Sequence, residues 1–503
     1  MSAIRPTLPV FEELYVVSDL HLGGTTGWRI FAQGARLAAL VRELTNRQAP
    51  RGGSLGLVLN GDTVDTLAEN LPDYVADPSA AEAILDRIMR HDDFAEIFVA
   101  LSAFVSTQAH HLEIVLGNHD LELVYPTVQE CLLRRLAGSD ETRRARVTFA
   151  TSGAGVRCAV GSDEAGFATT LCVHGNEFDK WNAVSPESMT RLTRAAVLGK
   201  DSPLLGTTPN AGTKLVKDVM NGIKKDWPFV DLLKPEMETA FTVMLALVPD
   251  RVAAVPGFAS AFRAAETTGA GRVARVLGGA QTPGAPGAVD MGVDWAPGPG
   301  FAGFLGGGPN LSVEAAWERV LKGNVDPADL AEGGTLGFGD FVVNNWNRWV
   351  ASIRNDPMNA LRTALVDWAG TEKTWELDGP CEVFDKLEEL QPDAAVVVAG
   401  HTHLRRQKRL GRGTYLNTGT WARLMRLTPR SLATADAFEP IWKAFRAGSM
   451  EALDELPDEV VFRQPTVAVI REENGRISAG LCEAPKGPPV LVKGASFQPV
   501  GMP

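Results

Sequence analysis

Apolar residues gather in five short runs, at 14–17, 56–59, 112–116, 169–173 and 394–399, each bounded by turn-forming residues. Runs this short with such ends read as buried strands. Between them apolar positions recur at helical spacing over 30–48, 80–90, 94–109 and 127–136. The last opens on Pro126, where a first-turn proline is tolerated. Strand alternating with helix implies α/β packing with parallel pairing, and in open α/β sheets ligands gather at the carboxyl ends of strands.

From about residue 180 to 380 that rhythm gives way to helical candidates at 188–198, 214–225, 234–247, 260–277, 313–322 and 339–354. The interval 278–309 is rich in Gly and Pro with almost no charge, as in a long irregular loop or a mobile tether. The chain therefore divides into a first part at 1–180, an inserted helical cap at 181–390 and a second part at 391–503. Apolar and aromatic stretches in the cap, Trp227 to Val230 with 241–248 and Trp346 with Trp349, fit either the core of a helical subdomain or a lipid, nucleobase or membrane contact. Beyond residue 400, 414–416 and 466–470 read as strands, and Glu473-Asn474-Gly475-Arg476 fits a tight hairpin turn into 477–482.

At 503 residues, one large decorated domain or two are expected. Hydrophobic residues at 45% and charged ones at 22% are ordinary globular values, which excludes disorder throughout. No stretch reaches the roughly eighteen uninterrupted apolar residues of a membrane span, and residues 1–10 have no basic segment leading into an apolar one. Cytoplasmic residence is the expectation. Five Cys, an odd number without close pairs, argue against a disulfide framework and a zinc–thiolate site. The net charge of −12 disfavours broad attraction to nucleic acid but leaves room for a local basic site.

The ends of the apolar runs change the picture. They read Ser18-Asp19-Leu20-His21, Asn60-Gly61-Asp62-Thr63-Val64-Asp65, Leu116-Gly117-Asn118-His119-Asp120, Val173-His174-Gly175 and Ala399-Gly400-His401-Thr402-His403. Of eight His in the chain, five fall here: His21, His119, His174, His401 and His403. Oxygen and imidazole donors without Cys suit hard-to-borderline divalent cations. One such stretch is commonly a helix cap or a satisfied loop, but five at strand ends point to a dinuclear metal site.

Set and order resemble the calcineurin-like metallophosphoesterase superfamily, with its Asp-x-His, Gly-Asp-x-x-Asp, Gly-Asn-His-Asp, His-Gly and Gly-His-x-His blocks. The likeness covers about 12–180 and 392–425, with the C-terminal strands as a further candidate. It implies a metallophosphoesterase-type β-sandwich flanked by helices, interrupted here by the large helical insertion. It further implies that Asp19, His21, Asp62 and His403 hold one metal and that Asp62, Asn118, His174 and His401 hold the other, with Asp62 as the bridge. Two cations so held share one hydroxide and clamp an in-line phosphoryl displacement. Mn²⁺ is the first expectation, with Fe²⁺ or Zn²⁺ as alternatives. By the same resemblance His119 is left free to meet the leaving-group oxygen. Asp120 would orient its imidazole or serve as a helix cap. Asp65 is either an acceptor behind the ligands or a first-turn carboxylate. Asn417-Thr418-Gly419-Thr420-Trp421 resembles the closing loop of the family, or is an ordinary turn with a core Trp.

After His403 come Arg405, Arg406, Lys408, Arg409 and Arg412, which could bind a second phosphate or form a solvated hairpin. The run from Asn176 to Asn182 is loosely similar to UDP-2,3-diacylglucosamine pyrophosphohydrolases. It departs from them with Asn176 in place of the usual Asp and with His119 where those enzymes often carry Arg. The expectation is a phosphoric ester hydrolase cleaving a phosphodiester or pyrophosphate bond of a small, anionic, nucleotide- or nucleotide-sugar-like substrate. A Mn-dependent nuclease, a peripheral membrane hydrolase of lipid precursors and a non-catalytic metal-binding scaffold are the alternatives.

Overall fold

The structure, a computed structural model, describes residues 7–24, 29–69, 74–179, 182–199, 210, 212–213, 216–217, 221–224, 227–233, 243, 356–368, 372–485 and 487–500. The expected helices at 260–277, 313–322 and 339–354, the Gly/Pro-rich 278–309, Trp346 with Trp349 and nearly all of 234–247 lie outside them. The chain divides into two units. One comprises 1–214, 370–425 and 457–503, the other 215–369 and 426–456. Where the sequence reading drew the insertion at 181–390, 182–199 and 372–390 sit in the first unit, and 426–456 joins the second.

The first unit is mixed α/β, with strands β1 Val10–Phe11, β2 Glu13–Val17, β3 Leu22–Gly23, β4 Leu55–Asn60, β5 Val64–Asp65, β6 His110–Val115, β7 Val147–Ala150, β8 Val156–Ser162 and β9 Gly166–Cys172. After them come β10 Val396–Ala399, β11 Arg405–Leu410, β12 Gly413–Thr418, β13 Arg423–Met425, β14 Val461–Arg463, β15 Thr466–Glu473, β16 Arg476–Glu483, β17 Val490–Leu491 and β18 Gln498–Pro499. One sheet runs β17-β16-β15-β2-β4-β6-β7 with β18 beside β16, a second runs β1-β8-β9-β10-β12-β11, and β3–β5 and β13–β14 form small pairs. β2, β4, β6 and β7 pair in parallel, as do β9, β10 and β12.

Alternation along the strands builds the layers. On β2, Leu14 and Val16 share one buried core with Cys158, Cys172, Val396, Val398 and Leu416 of the second sheet. Tyr15 and Val17 face the other way, toward Leu37, Leu40, Phe98 and Leu101 of helices α1 (Gly34–Asn46) and α3 (Asp92–Ser106). α2 (Pro78–Arg90) opens on Asp77, whose side chain accepts from the amides of Ser79 and Ala80. On β10, Val397 and Ala399 pack against Phe384 and Leu387 of a helix at Glu382–Leu390. Two sheets thus lie face to face between helical layers, and the parallel strands end together. Val17 stands opposite Leu59, Asn60 opposite Val115, and Ala399 opposite Asn417.

Gly475 and Asn474, both at positive φ, close the hairpin expected between β15 and β16. In the second unit, Phe229 stacks on Phe445 with ring centres 4.6 Å apart, and Val230 and Leu233 are also buried. Phe229 and Val230 of the 227–230 stretch are core packing there, while Trp227 is partly buried. Among the described residues no helix is long and apolar enough to cross a membrane.

Candidate metal centre

The loops after β2, β4, β6, β9 and β10 meet where the two sheets end. Asn60 ties the sheets together, its side-chain amide donating to the Val173 carbonyl at 2.8 Å. The Asn60 carbonyl in turn accepts from His174 Nδ1 at 3.0 Å. That bond requires Nδ1–H and turns Nε2 toward Asp62, 3.1 Å from Oδ2.

Five of the expected ligands share a costly backbone. Asp19, His21, Asp62, His401 and His403 have φ of 52°, 49°, 48°, 67° and 60°, in the left-handed region that L side chains seldom adopt. Among the described residues only Ala109, Gln391 and Asn474 otherwise do so outside glycine. Such strain persists where the surroundings over-determine it, and it clusters at ligand sites. The hydrogen bonds that hold it are visible: His21 N–H donates to the Asp62 carbonyl at 2.8 Å, and His401 N–H donates to both Asp19 carboxylate oxygens at 3.0 Å. The His119 amide donates to Asp62 Oδ1 at 2.9 Å. Gly117 permits that approach, since a Cβ there would collide with the Asp62 carboxylate.

Three sets of side chains each place three donor atoms within 4.8 Å of one another: Asp19, His21 and His403; Asp19, Asp62 and His174; and His21, Asp62 and His119. Nε2 of His21 faces Nε2 of His403 at 3.1 Å, while His403 Nε2 lies 3.5 Å from Asp19 Oδ1. The His401 ring sits beside His174, ring centres 5.4 Å apart, with its Nε2 bonded to Asp179 at 2.9 Å.

A buried donor atom tests the fit to cations. Asn118 Oδ1 has no hydrogen-bond partner among the described residues, and His174 Nε2 has the Asp62 carboxylate as its neighbour at 3.1 Å. A buried lone pair left unpartnered is costly, and a cation satisfies it. Electrostatics agree. Burial works against ionisation of Asp62, yet His174 and His119 hold it well below the ordinary carboxylate range. Burial also opposes charge on His174, but Asp62 and Asp19 raise it to about 10. Burial lifts Asp19, with His174 and His21 pulling the other way. The cluster favours positive charge at its centre, carried by a proton or by a metal.

Asp120 departs from its expected role. Its oxygens accept the amides of Gly117 at 2.7 Å and Thr63 at 2.8 Å, so it binds the Asn118 loop to the Asp62 loop and does not orient His119. Burial, reinforced by Asp62, pushes its carboxyl up to about 7. The imidazole of His119 is oriented by Asp65 instead, with Nδ1 at 3.0 Å from Oδ1, while the other Asp65 oxygen accepts from His21 Nδ1 at 3.2 Å. Burial notwithstanding, His119 and His21 bring Asp65 well below the ordinary range.

Arg405 and Arg406, read as substrate contacts, are engaged elsewhere. Arg405 pairs with Glu483 at 2.9 Å, and Arg406 is buried, donating to the carbonyls of Thr374, Glu376 and Pro380. Trp421 is fully buried with Nε1 on the Thr466 carbonyl, but the loop before it does touch the site: Thr420 Oγ donates to the Asp19 carbonyl at 2.8 Å, and Asn417 to that of Gly400 at 2.7 Å. Asn60 and Asp179 carried no assigned role in the sequence. A polar side chain ending an apolar run was the available signal for Asn60; for Asp179 it was membership of the run from Asn176 to Asn182.

Comparison with family models, with curated proteins and with solved structures found no match for this chain.

Proposed function

We propose that the chain is a metal-dependent phosphoric ester hydrolase of the calcineurin-like metallophosphoesterase type, acting on a phosphodiester or pyrophosphate bond of a small nucleotide- or nucleotide-sugar-like substrate. One observation carries the reading: donors from five separated strand ends converge in one cluster, five of the expected ligands on strained backbone, with Asn118 Oδ1 unpartnered. Asp19, His21, Asp62 and His403 would hold one cation, and Asp62, Asn118, His174 and His401 the other. When bound, such a pair supplies Lewis-acid polarisation of the phosphate and lowers the pKa of a water nucleophile.

The remaining work falls to this chain's own groups. With Nδ1 on Asp65, the half-buried His119 would use Nε2 to protonate the leaving oxygen. Asp65 stabilises the imidazolium this requires. Asp120 and the amides of His119 and His401 keep the carboxylates from drifting. Anionic esters suit the site because only two of the expected ligands, Asp19 and Asp62, are carboxylates, which leaves positive charge on two divalent ions.

The test is hydrolysis, in Mn²⁺, of bis-p-nitrophenyl phosphate, p-nitrophenyl phosphate, nucleotide sugars, cyclic dinucleotides and linear DNA by one preparation. Turnover of the diester or a pyrophosphate, abolished by chelation and restored by Mn²⁺, is the expected outcome. Cleavage confined to DNA would select the nuclease. No turnover of any ester by protein loaded with metal would refute the proposal.

A further inference from the structure

The loop after His174 carries a carboxylate that none of the five motifs includes. Asp179 Oδ2 lies 2.9 Å from Nε2 of His401 and also accepts the side-chain amide of Asn182 at 2.7 Å. Asn182 is anchored in turn, its carbonyl accepting from Asn176 Nδ2 at 3.0 Å and from Asn210 Nδ2 at 3.1 Å. This carboxylate is thus held by Asn182 while it receives the His401 imidazole.

We propose that Asp179 is a positioning residue for His401, holding its ring as the Nε2–H tautomer so that Nδ1 is the lone pair offered to the cation beside His174. This rests on the metallophosphoesterase reading given above. The His401 backbone is already pinned by its amide bonds to Asp19, leaving ring rotation and tautomer as its remaining freedoms. The Asp179 bond removes both. Ligating imidazoles usually give their second N–H to a carboxylate or carbonyl, and losing that partner weakens metal binding about 10–100-fold. His174 and His21 follow the rule through the Asn60 carbonyl and Asp65. Asp179 completes it for His401.

Two measurements on the full chain test the proposal. In metal-free protein with ¹⁵N-labelled histidine, the His401 ring, assigned by the resonance lost in His401→Gln, should report the Nε2–H tautomer in the parent and a mixture in Asp179→Leu. Asp179→Asn, whose amide oxygen still accepts, should keep the parent pattern and covers the case in which the leucine variant fails to fold. A parent ring in the Nδ1–H form, or one unmoved in folded Asp179→Leu, overturns the proposal whatever the metals do. The second measurement is calorimetric titration with Mn²⁺. Asp179→Leu should weaken one of two sites about 10–100-fold, and Asp179→Asn should weaken it less. Parent-like affinity at both sites in folded Asp179→Leu overturns the positioning role alone. A parent protein that binds no Mn²⁺ overturns the metal reading, and this inference with it.

Discussion

Nδ1 of His119 lies 3.0 Å from Oδ1 of Asp65, and this pair sits beside the ligand cluster with His119 half-buried at its edge. Because the second Asp65 oxygen serves His21, one carboxylate supports both a candidate proton donor and a candidate ligand. The two residues should therefore fail in different ways. His119→Ala is expected to keep its metals and lose about 10²–10⁴ in kcat, less for p-nitrophenyl esters, whose leaving group needs little protonation. Asp65→Asn should lose turnover and, in addition, about 10–100-fold in metal affinity. Equal kcat losses for good and poor leaving groups in His119→Ala would argue against proton donation.

The two arginines after the last motif should separate by stability. Arg406→Ala strips buried carbonyls of a charged donor, so unfolding free energy should fall by about 3–5 kcal/mol in urea melts. Arg405→Ala loses a rim ion pair and should stay within about 1 kcal/mol. KM in Arg405→Ala should match the parent; a large rise for substrates with a second phosphate would restore the phosphate-binding role.

What the sequence disclosed follows from where information is local. Strand-end Asp, Asn and His residues mark themselves because a polar ligand after an apolar run is visible in one dimension, and the runs at 14–17, 56–59, 112–116, 169–173 and 394–399 all lie in or beside β2, β4, β6, β9 and β10. β8, reading Val-Arg-Cys-Ala-Val-Gly-Ser, was hidden by weak alternation, whereas the hairpin reading of the basic run agrees with β11 pairing antiparallel with β12. Partners across space were less legible. Asp120 adjoins His119 in the chain, yet the turn directs its carboxylate back to Gly117 and Thr63, while Asp65 reaches the ring from another loop. Arg406 faces inward because alternate residues of β11 point to opposite faces.

Stability should depend on pH through a pair remote from the metal site. His110 and His111 open β6, and burial, assisted by Arg146, lowers both below the ordinary value. A depressed imidazole means that the unfolded chain binds more protons, so stability rises with pH across that interval. It is fully present above about pH 6.5 and is lost as pH falls through the folded values. In metal-free protein, urea midpoints between pH 5 and 7.5 should fall more steeply with acid in the parent than in His110→Asn/His111→Asn. Parallel slopes would remove these residues from the acid response.

Divalent metal content bears most directly on the whole account. Asp62 Oδ2 lies between expected ligands of both ions, 3.1 Å from His174 Nε2 and 3.7 Å from His21 Nε2. After chelation and reconstitution with Mn²⁺, elemental analysis of the parent should return about two ions per chain, and Asp62→Asn should weaken both sites together. No more than one ion in the parent, or a loss confined to one site in Asp62→Asn, would contradict the dinuclear centre bridged by Asp62.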